Sequence, residues 1–351
     1  MTSDQTTRRS VLARMILIAV VIGAAAAAFA YTAGWLSPNR LTPNAIVDAF
    51  APPGGPALGH RRNHAKGICF TGVFEANGAG STLSSAPMLR PGEYPVIGRF
   101  NLGSPDAHVQ DATERVRGVG LQISEPGGEV WRMAMLDLPF FPVSTLKAFH
   151  ALQVAAGAKD PNAMKDFIAT YPEFAHFGAW AHAAPWTGSY AEETYNSLDS
   201  FIFTDASGTA HPVRWSLVPA AAAVPVPPEE LAKRGADFLE EEIVQRVKTA
   251  PQQWTLVVTV ANAGDPTADP SRTWPEGRSK IDVGTVIVRD IEPEPDGPCR
   301  DINYDPTVLP KGVGISDDPF PAARSSAYRR SFDLRSAEGQ YYPHTDSETT
   351  P

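Results

Sequence analysis

Cysteine is scarce in this chain: Cys69 and Cys299 are the only two among 351 residues. They lie too far apart for a CxxC motif, and neither joins a histidine at zinc-ligand spacing, which excludes zinc-finger and dithiol redox motifs. The ordinary reading of the pair is two buried thiols, although an exported location permits a disulfide between them. Clustered charge is also missing. The 30 Lys and Arg against 39 Asp and Glu give a net charge of −9 without any basic block, so nucleic acid is a poor partner. There is no P-loop, no GxSxG nucleophile elbow, no HExxH and no internal repeat. No regular βαβ rhythm runs along the chain, which argues against a doubly wound sheet.

Proline and glycine are plentiful, at 33 and 28 residues, and favour strands, turns and ordered loops over a helical bundle. Residues 95–100, 118–123, 254–260 and 280–288 read as strands. Residues 201–204 and 212–218 flank a Ser207-Gly208 turn and predict a hairpin. Helical apolar spacing appears over 146–158 and 163–169. After an Ala/Pro-rich linker over 220–228, Pro228 opens an amphipathic helix expected to run to Lys248, with Glu229 and Glu230 in its first turn. The sum argues for an antiparallel β-barrel or an α+β domain, with helices interspersed among the strands.

The N-terminus differs in character. Arg8, Arg9 and Arg14 precede a charge-free run from 15 to 39, long enough to cross a bilayer as a helix. The arginines favour a cytoplasmic N-terminus. The pair Arg8-Arg9 resembles a twin-arginine export signal, and Ala28-Phe29-Ala30 offers a cleavage-like site. A cleaved signal and a retained single-span anchor therefore compete, and the anchor is preferred. Either places the remainder of the chain in the periplasm, anchored to the inner membrane or released. The expected division is 1–40 for this segment, 41–335 for one domain and 336–351 for a tail.

Two segments carry chemistry. In Arg61-Arg62-Asn63-His64-Ala65-Lys66-Gly67, a histidine between a polar loop and a strand is suited to acid–base work near neutrality. Arg324-x-x-x-Tyr328 spans one helical turn, so both side chains share a face. A guanidinium beside a phenol favours the phenolate, a hard ligand for ferric iron. Taken singly, a lone histidine is commonly structural and an Arg/Tyr pair is commonly a surface feature.

Together these segments resemble the haem catalases, and more closely the short catalase-related peroxidases. Further motifs follow in the same order: Arg99-Phe100, Trp274-Pro275, Ile281-Asp282-Val283-Gly284, Asn303-Tyr304-Asp305-Pro306 and Leu309-Pro310. The resemblance implies haem b as cofactor, with Tyr328 as axial iron ligand and Arg324 stabilising its charge. It implies His64 as distal acid/base, Arg61, Arg99 and Arg335 on the propionates, and Phe149 stacked on the haem. Asn101 stands where the family commonly has a serine that orients the histidine. The implied activity is a peroxidase reducing hydrogen peroxide or organic hydroperoxides with a small organic donor, in defence against oxidative stress. A homo-oligomer is compatible with it. One departure matters: Leu136 occupies the place of the family's distal asparagine and cannot hydrogen-bond peroxide, which implies weak catalase activity at most. A haem-dependent hydroperoxide dehydratase or isomerase and a non-catalytic haem carrier or sensor stay open as alternatives.

Overall fold

The computed structural model describes residues 3–341 apart from 34, 36–39 and 53. The end of the charge-free run and the tail from 342 lie outside the described residues. The chain divides into two compact units, 1–42 and 43–351.

The first unit contains α1 (Ser3–Thr32). Its segment Val11–Thr32 is 22 residues long with a mean hydropathy of 2.4, and none of it is buried. By length and composition it can cross a membrane; a signal sequence has the same properties.

The second unit is built on β1 (Gly67–Ala76), β2 (Gly92–Leu102), β3 (Arg117–Ser124), β4 (Val130–Leu136), β5 (Tyr195–Asn196), β6 (Phe201–Thr204), β7 (Ala210–Pro219), β8 (Gln252–Val260), β9 (Lys280–Glu292) and β10 (Val313–Ile315). The order β7-β5-β4-β3-β2-β1-β9-β8 returns to β7 and closes an eight-stranded antiparallel barrel, with β6 and β10 extending from the start of β7. The expected hairpin is the β6–β7 pair, with Phe201 opposite Val213. Strand burial alternates, and the inward positions carry large aromatics. Trp131, Trp215 and Trp254 are fully buried, and Phe201 stacks on Trp215 at 4.3 Å. Gly98 is required by this filling, because a Cβ there would meet the Phe70 ring at 2.0 Å. The lumen is a packed core, so a ligand site has to form outside it.

Around the barrel lie α2 (Pro43–Asp48), α3 (Leu146–Ala156), α4 (Ala163–Thr170), α5 (Ala175–Ala183), α6 (Pro228–Leu231), α7 (Phe238–Thr249) and α8 (Phe320–Ala337). Thr145 caps α3 by accepting from the Ala148 amide at 3.2 Å. Asp318 does the same at the start of α8, accepting from the Phe320 amide at 2.9 Å. α2 packs against α8.

Two expectations change. The helix expected from Pro228 to Lys248 is broken into α6 and α7. The buried Lys66 ammonium donates to the Ala236 carbonyl at 2.9 Å and to Asp111 Oδ1 at 2.6 Å, while Asp111 Oδ2 accepts from the Leu239 amide at 2.8 Å. A continuous helix would commit these backbone groups to its own ladder and strand a buried cation. Gly235 lowers the cost of the break. Secondly, Cys69 and Cys299 form a disulfide, joining β1 to the loop after β9 with a Cα–Cα distance of 5.4 Å.

Candidate active site

Outside the barrel, β2, β3 and β4 together with α2, α3 and α8 line a cavity of about 1180 Å³, part of it open to solvent. His64, Arg61, Arg99 and Phe149 line it, as do Arg324, Tyr328 and Arg335. Seven residues spread over the chain from 61 to 335 thus meet on one space.

The α8 wall carries the phenol. Arg324 and Tyr328 sit one turn apart, and Arg324 Nη2 donates to the Tyr328 hydroxyl oxygen at 3.2 Å. The same nitrogen donates to the Ala134 carbonyl at 3.1 Å, and Nη1 pairs with the fully buried Asp199 carboxylate. Burial alone would lower the Arg324 pKa; the Tyr328 oxygen and the Asp199 carboxylate outweigh it and raise it. The guanidinium is therefore fixed as a cation with an anion on one side and the phenol on the other. Burial pushes the Asp199 carboxyl up against the pull of Arg324, and it pushes Asp318 up to about 7 with help from Asp199. Asp199 is the ionised member, because it makes the contact to Arg324. It was missed in the sequence, where nothing marks it. The one local sign is structural: the preceding Leu198 has a left-handed φ of 62°.

The opposite wall carries the histidine. His64 has φ 54°, an uncommon conformation held by Arg99 Nη1 donating to the His64 carbonyl at 2.8 Å. Its pKa falls to about 4, first through burial and then through repulsion by Arg99 and Arg324, opposed by Asn101 and the Leu102 backbone. The ring is thus neutral at pH 7 and able to accept a proton. Asn101 Oδ1 and His64 Nδ1 are both buried and make no hydrogen bond of normal geometry with the protein. Asn101 therefore favours the imidazolium by proximity, short of the bond expected from sequence. Leu136, opposite Gly118 in the sheet, also lines the cavity. Asp137 turns away: its Oδ1 accepts from the Arg117 amide at 3.0 Å and its Oδ2 pairs with Arg115 at 3.3 Å. Phe149 touches both cavity and core, with its ring 5.3 Å from Phe141 and 5.8 Å from Phe50.

The third feature is a cluster of cations. Arg61, Arg99 and Arg335 converge on Glu294 and the loop that follows it. Arg99 pairs with Glu294 at 2.6 Å and Arg61 does so at 3.4 Å. Arg335 donates to the Arg300 and Ile302 carbonyls, and Arg61 donates to the Ile302 carbonyl at 3.2 Å. Burial, then repulsion from Arg61, pulls Arg335 down to about 9. Glu294 is pulled down despite its burial, chiefly by Arg99 and Arg61. Glu294 bridges two of the three guanidinium groups, and Asp301 also favours the charged form of Arg335. A cluster of this kind suits a ligand bearing carboxylates. Glu294, like Asp199, was not legible in the sequence.

Among the described residues, no group of three or more His, Cys, Asp or Glu is placed to hold a bare metal ion. An iron bound at Tyr328 has to bring further ligands with it, as a macrocycle does. The phenol with its cation, the large cavity and the cluster of guanidinium groups all fit a flat iron macrocycle bearing carboxylates.

Comparison with known proteins follows the same line. Residues 50–342 match the family model described as Catalase. The chain is 32% identical over 320 residues to a catalase-related peroxidase of Synechococcus elongatus, covering 90% of this chain and 92% of that protein. It is 30% identical over 302 residues to a catalase-related peroxidase of Mycolicibacterium paratuberculosis, covering 84% and 95%. Among solved structures, a bacterial catalase matches with a TM-score of 0.71 at 21% identity, over 83% of this chain and 64% of that one. Catalase A from Saccharomyces cerevisiae matches at 0.71 and 16% identity, over 79% and 61%. The chain thus spans less than two thirds of either catalase, and these two likenesses concern the fold.

The burial of His64 has a direct consequence. Followed by NMR in the protein without cofactor, its ring should titrate with a midpoint near 4, well below the ordinary 6.5. A midpoint at the ordinary value would contradict a buried ring held between Arg99 and Arg324.

Proposed function

The chain belongs to the catalase family and is an oxidoreductase acting on peroxide, and from that premise we propose that it is a haem b peroxidase that reduces hydroperoxides with a small organic donor. The carrying observation is the convergence on one cavity of Tyr328 with its Arg324 partner, a neutral His64 and the cluster of Arg61, Arg99 and Arg335. Two propionates would be held by Arg61, Arg99 and Arg335. When bound, the haem would supply a redox-active iron, and Tyr328 would be the residue that holds it through its phenol oxygen.

The remaining roles belong to the chain itself. His64 accepts the proton of the hydroperoxide O–H and returns it to the departing oxygen as the O–O bond breaks. Arg324 stabilises the Tyr328 oxygen as an anion, and Asp199 fixes Arg324 in place. Phe149 and Phe141 keep water from one side of the cavity. Leu136 gives a second hydrogen peroxide no polar partner beside His64, so disproportionation is slow. An organic hydroperoxide, with its apolar body, is better accommodated there.

We assign α1 to the membrane, as a retained anchor or an export signal, with the barrel unit in the periplasm. The length and hydropathy of its Val11–Thr32 segment support this, as do Arg8 and Arg9 just ahead of that segment. Cell fractionation should find the full-length protein with the membrane or outside the cytoplasm; a soluble cytoplasmic pool alone contradicts the assignment. Loss of export in the double variant Arg8→Lys, Arg9→Lys identifies the twin-arginine route.

For the reaction, His64→Ala should slow consumption of an organic hydroperoxide by at least ~100-fold, the scale of a positioned acid/base, while haem remains bound. In parallel oxygen-electrode and donor-oxidation assays, the wild type should favour donor oxidation. Leu136→Asn should raise oxygen release relative to it. Vigorous oxygen release by the wild type would sink the role given to Leu136.

A further inference from the structure

The segment from 293 to 304 is the least regular part of the wall, yet most of the cation cluster rests on it. It belongs to no helix or strand. Asp296 has a left-handed φ of 60°, and the turn is held locally by the Gly297 amide to the Glu294 carbonyl at 2.9 Å and the Arg300 amide to the Gly297 carbonyl at 3.1 Å. From this segment come the Glu294 carboxylate on Arg61 and Arg99, the Cys299 carbonyl accepting from Arg61 at 3.1 Å, and the Arg300 and Ile302 carbonyls accepting from Arg335. Tyr304, which follows, lines the cavity with its ring under the Arg61 guanidinium at 5.7 Å.

What fixes this loop to the barrel is the bridge from Cys299 to Cys69. Cys69 lies on β1 opposite Arg99 of β2, so the covalent tie is made beside one of the arginines that the loop must meet. The Cys299 amide donates to Cys69 Sγ at 3.2 Å. Gly297 packs closely on the same sulfur, where a Cβ would come within 2.9 Å. Both sulfurs are wholly buried.

We propose that the Cys69–Cys299 disulfide is a latch for the cofactor: oxidised, it holds the loop that aims Arg61, Arg99 and Arg335 at the haem carboxylates, and reduced, it releases them. The cysteines are positioning residues and touch no reacting atom. Opening the latch takes two electrons and two protons from an external dithiol, which cleave the S–S bond to two thiols while the dithiol closes to its own disulfide. The loop is then free for cofactor entry in a reducing compartment and fixed in an oxidising one.

The inference rests on the haem reading above, and its test separates the two. Full-length protein loaded with haem is mixed with an excess of apomyoglobin, and transfer is followed in the Soret region with and without dithiothreitol. Transfer should accelerate at least ~10-fold with the dithiol, the scale of losing one hydrogen bond to a charged group. The double variant Cys69→Ser, Cys299→Ser should transfer fast in both conditions. Haem dimethyl ester, which lacks the carboxylates, should leave at a rate the dithiol does not change, whereas a general loosening of the fold would release both forms. Equal acceleration of haem and its ester, or no acceleration of haem, overturns the latch and leaves the haem reading standing. A protein that takes up no haem overturns both.

Discussion

Burying positive charge is the constraint on which this site depends. A guanidinium taken from water costs several kcal/mol unless anions and carbonyls surround it. Arg99 is among the most deeply buried side chains of the molecule, and Arg61 shares the Glu294 carboxylate with it, with Arg335 beside them. The fold meets the cost partly with backbone: the His64 and Ala65 carbonyls for Arg99, and the Arg300 and Ile302 carbonyls for Arg335. In doing so it fixes the histidine. The same Arg99 contact that holds His64 in a left-handed conformation also repels its protonated form. The proposed acid–base histidine and the arginine cluster are therefore parts of one electrostatic unit.

The α8 wall repeats the logic with opposite outcome. Arg324 is largely buried as well, but it lies between Asp199 and the Tyr328 phenol, and their attraction overcomes the cost of burial. One cation cluster gathers three guanidinium groups on Glu294 and nearby carbonyls, which suits a ligand bearing carboxylates. The other is saturated by the protein's own groups, which suits a phenol that must serve as an anion. Both clusters line the same cavity outside the barrel. Its lumen is filled by Trp131, Trp215 and their neighbours, so the cavity is confined to the outer face.

What the sequence disclosed and what it hid follow from the range of the interactions. Arg324 and Tyr328 were legible because one helical turn relates them, and the strands were legible because alternation is local. His64, Arg61 and Arg335 were found through motif order, each being unremarkable alone. Asp199 and Glu294 escaped because their importance comes from partners 125 and 195 positions distant, and a single acidic residue in a loop carries no local mark. The break between α6 and α7 escaped for the same reason, since the demand of Lys66 for the Ala236 carbonyl acts across 170 positions. The disulfide was left open because pairing depends on geometry that spacing does not contain.

The central claim is that Tyr328 presents a phenolate to a haem iron in this cavity. It is tested most directly by the absorption spectrum of the full-length protein purified with its native cofactor, recorded beside that of Tyr328→Phe. The account requires a high-spin ferric spectrum of tyrosinate type in the wild type. In the variant it requires a displaced or lost Soret band. A wild type without a Soret band, or a variant whose Soret band and activity are unaltered, would contradict it.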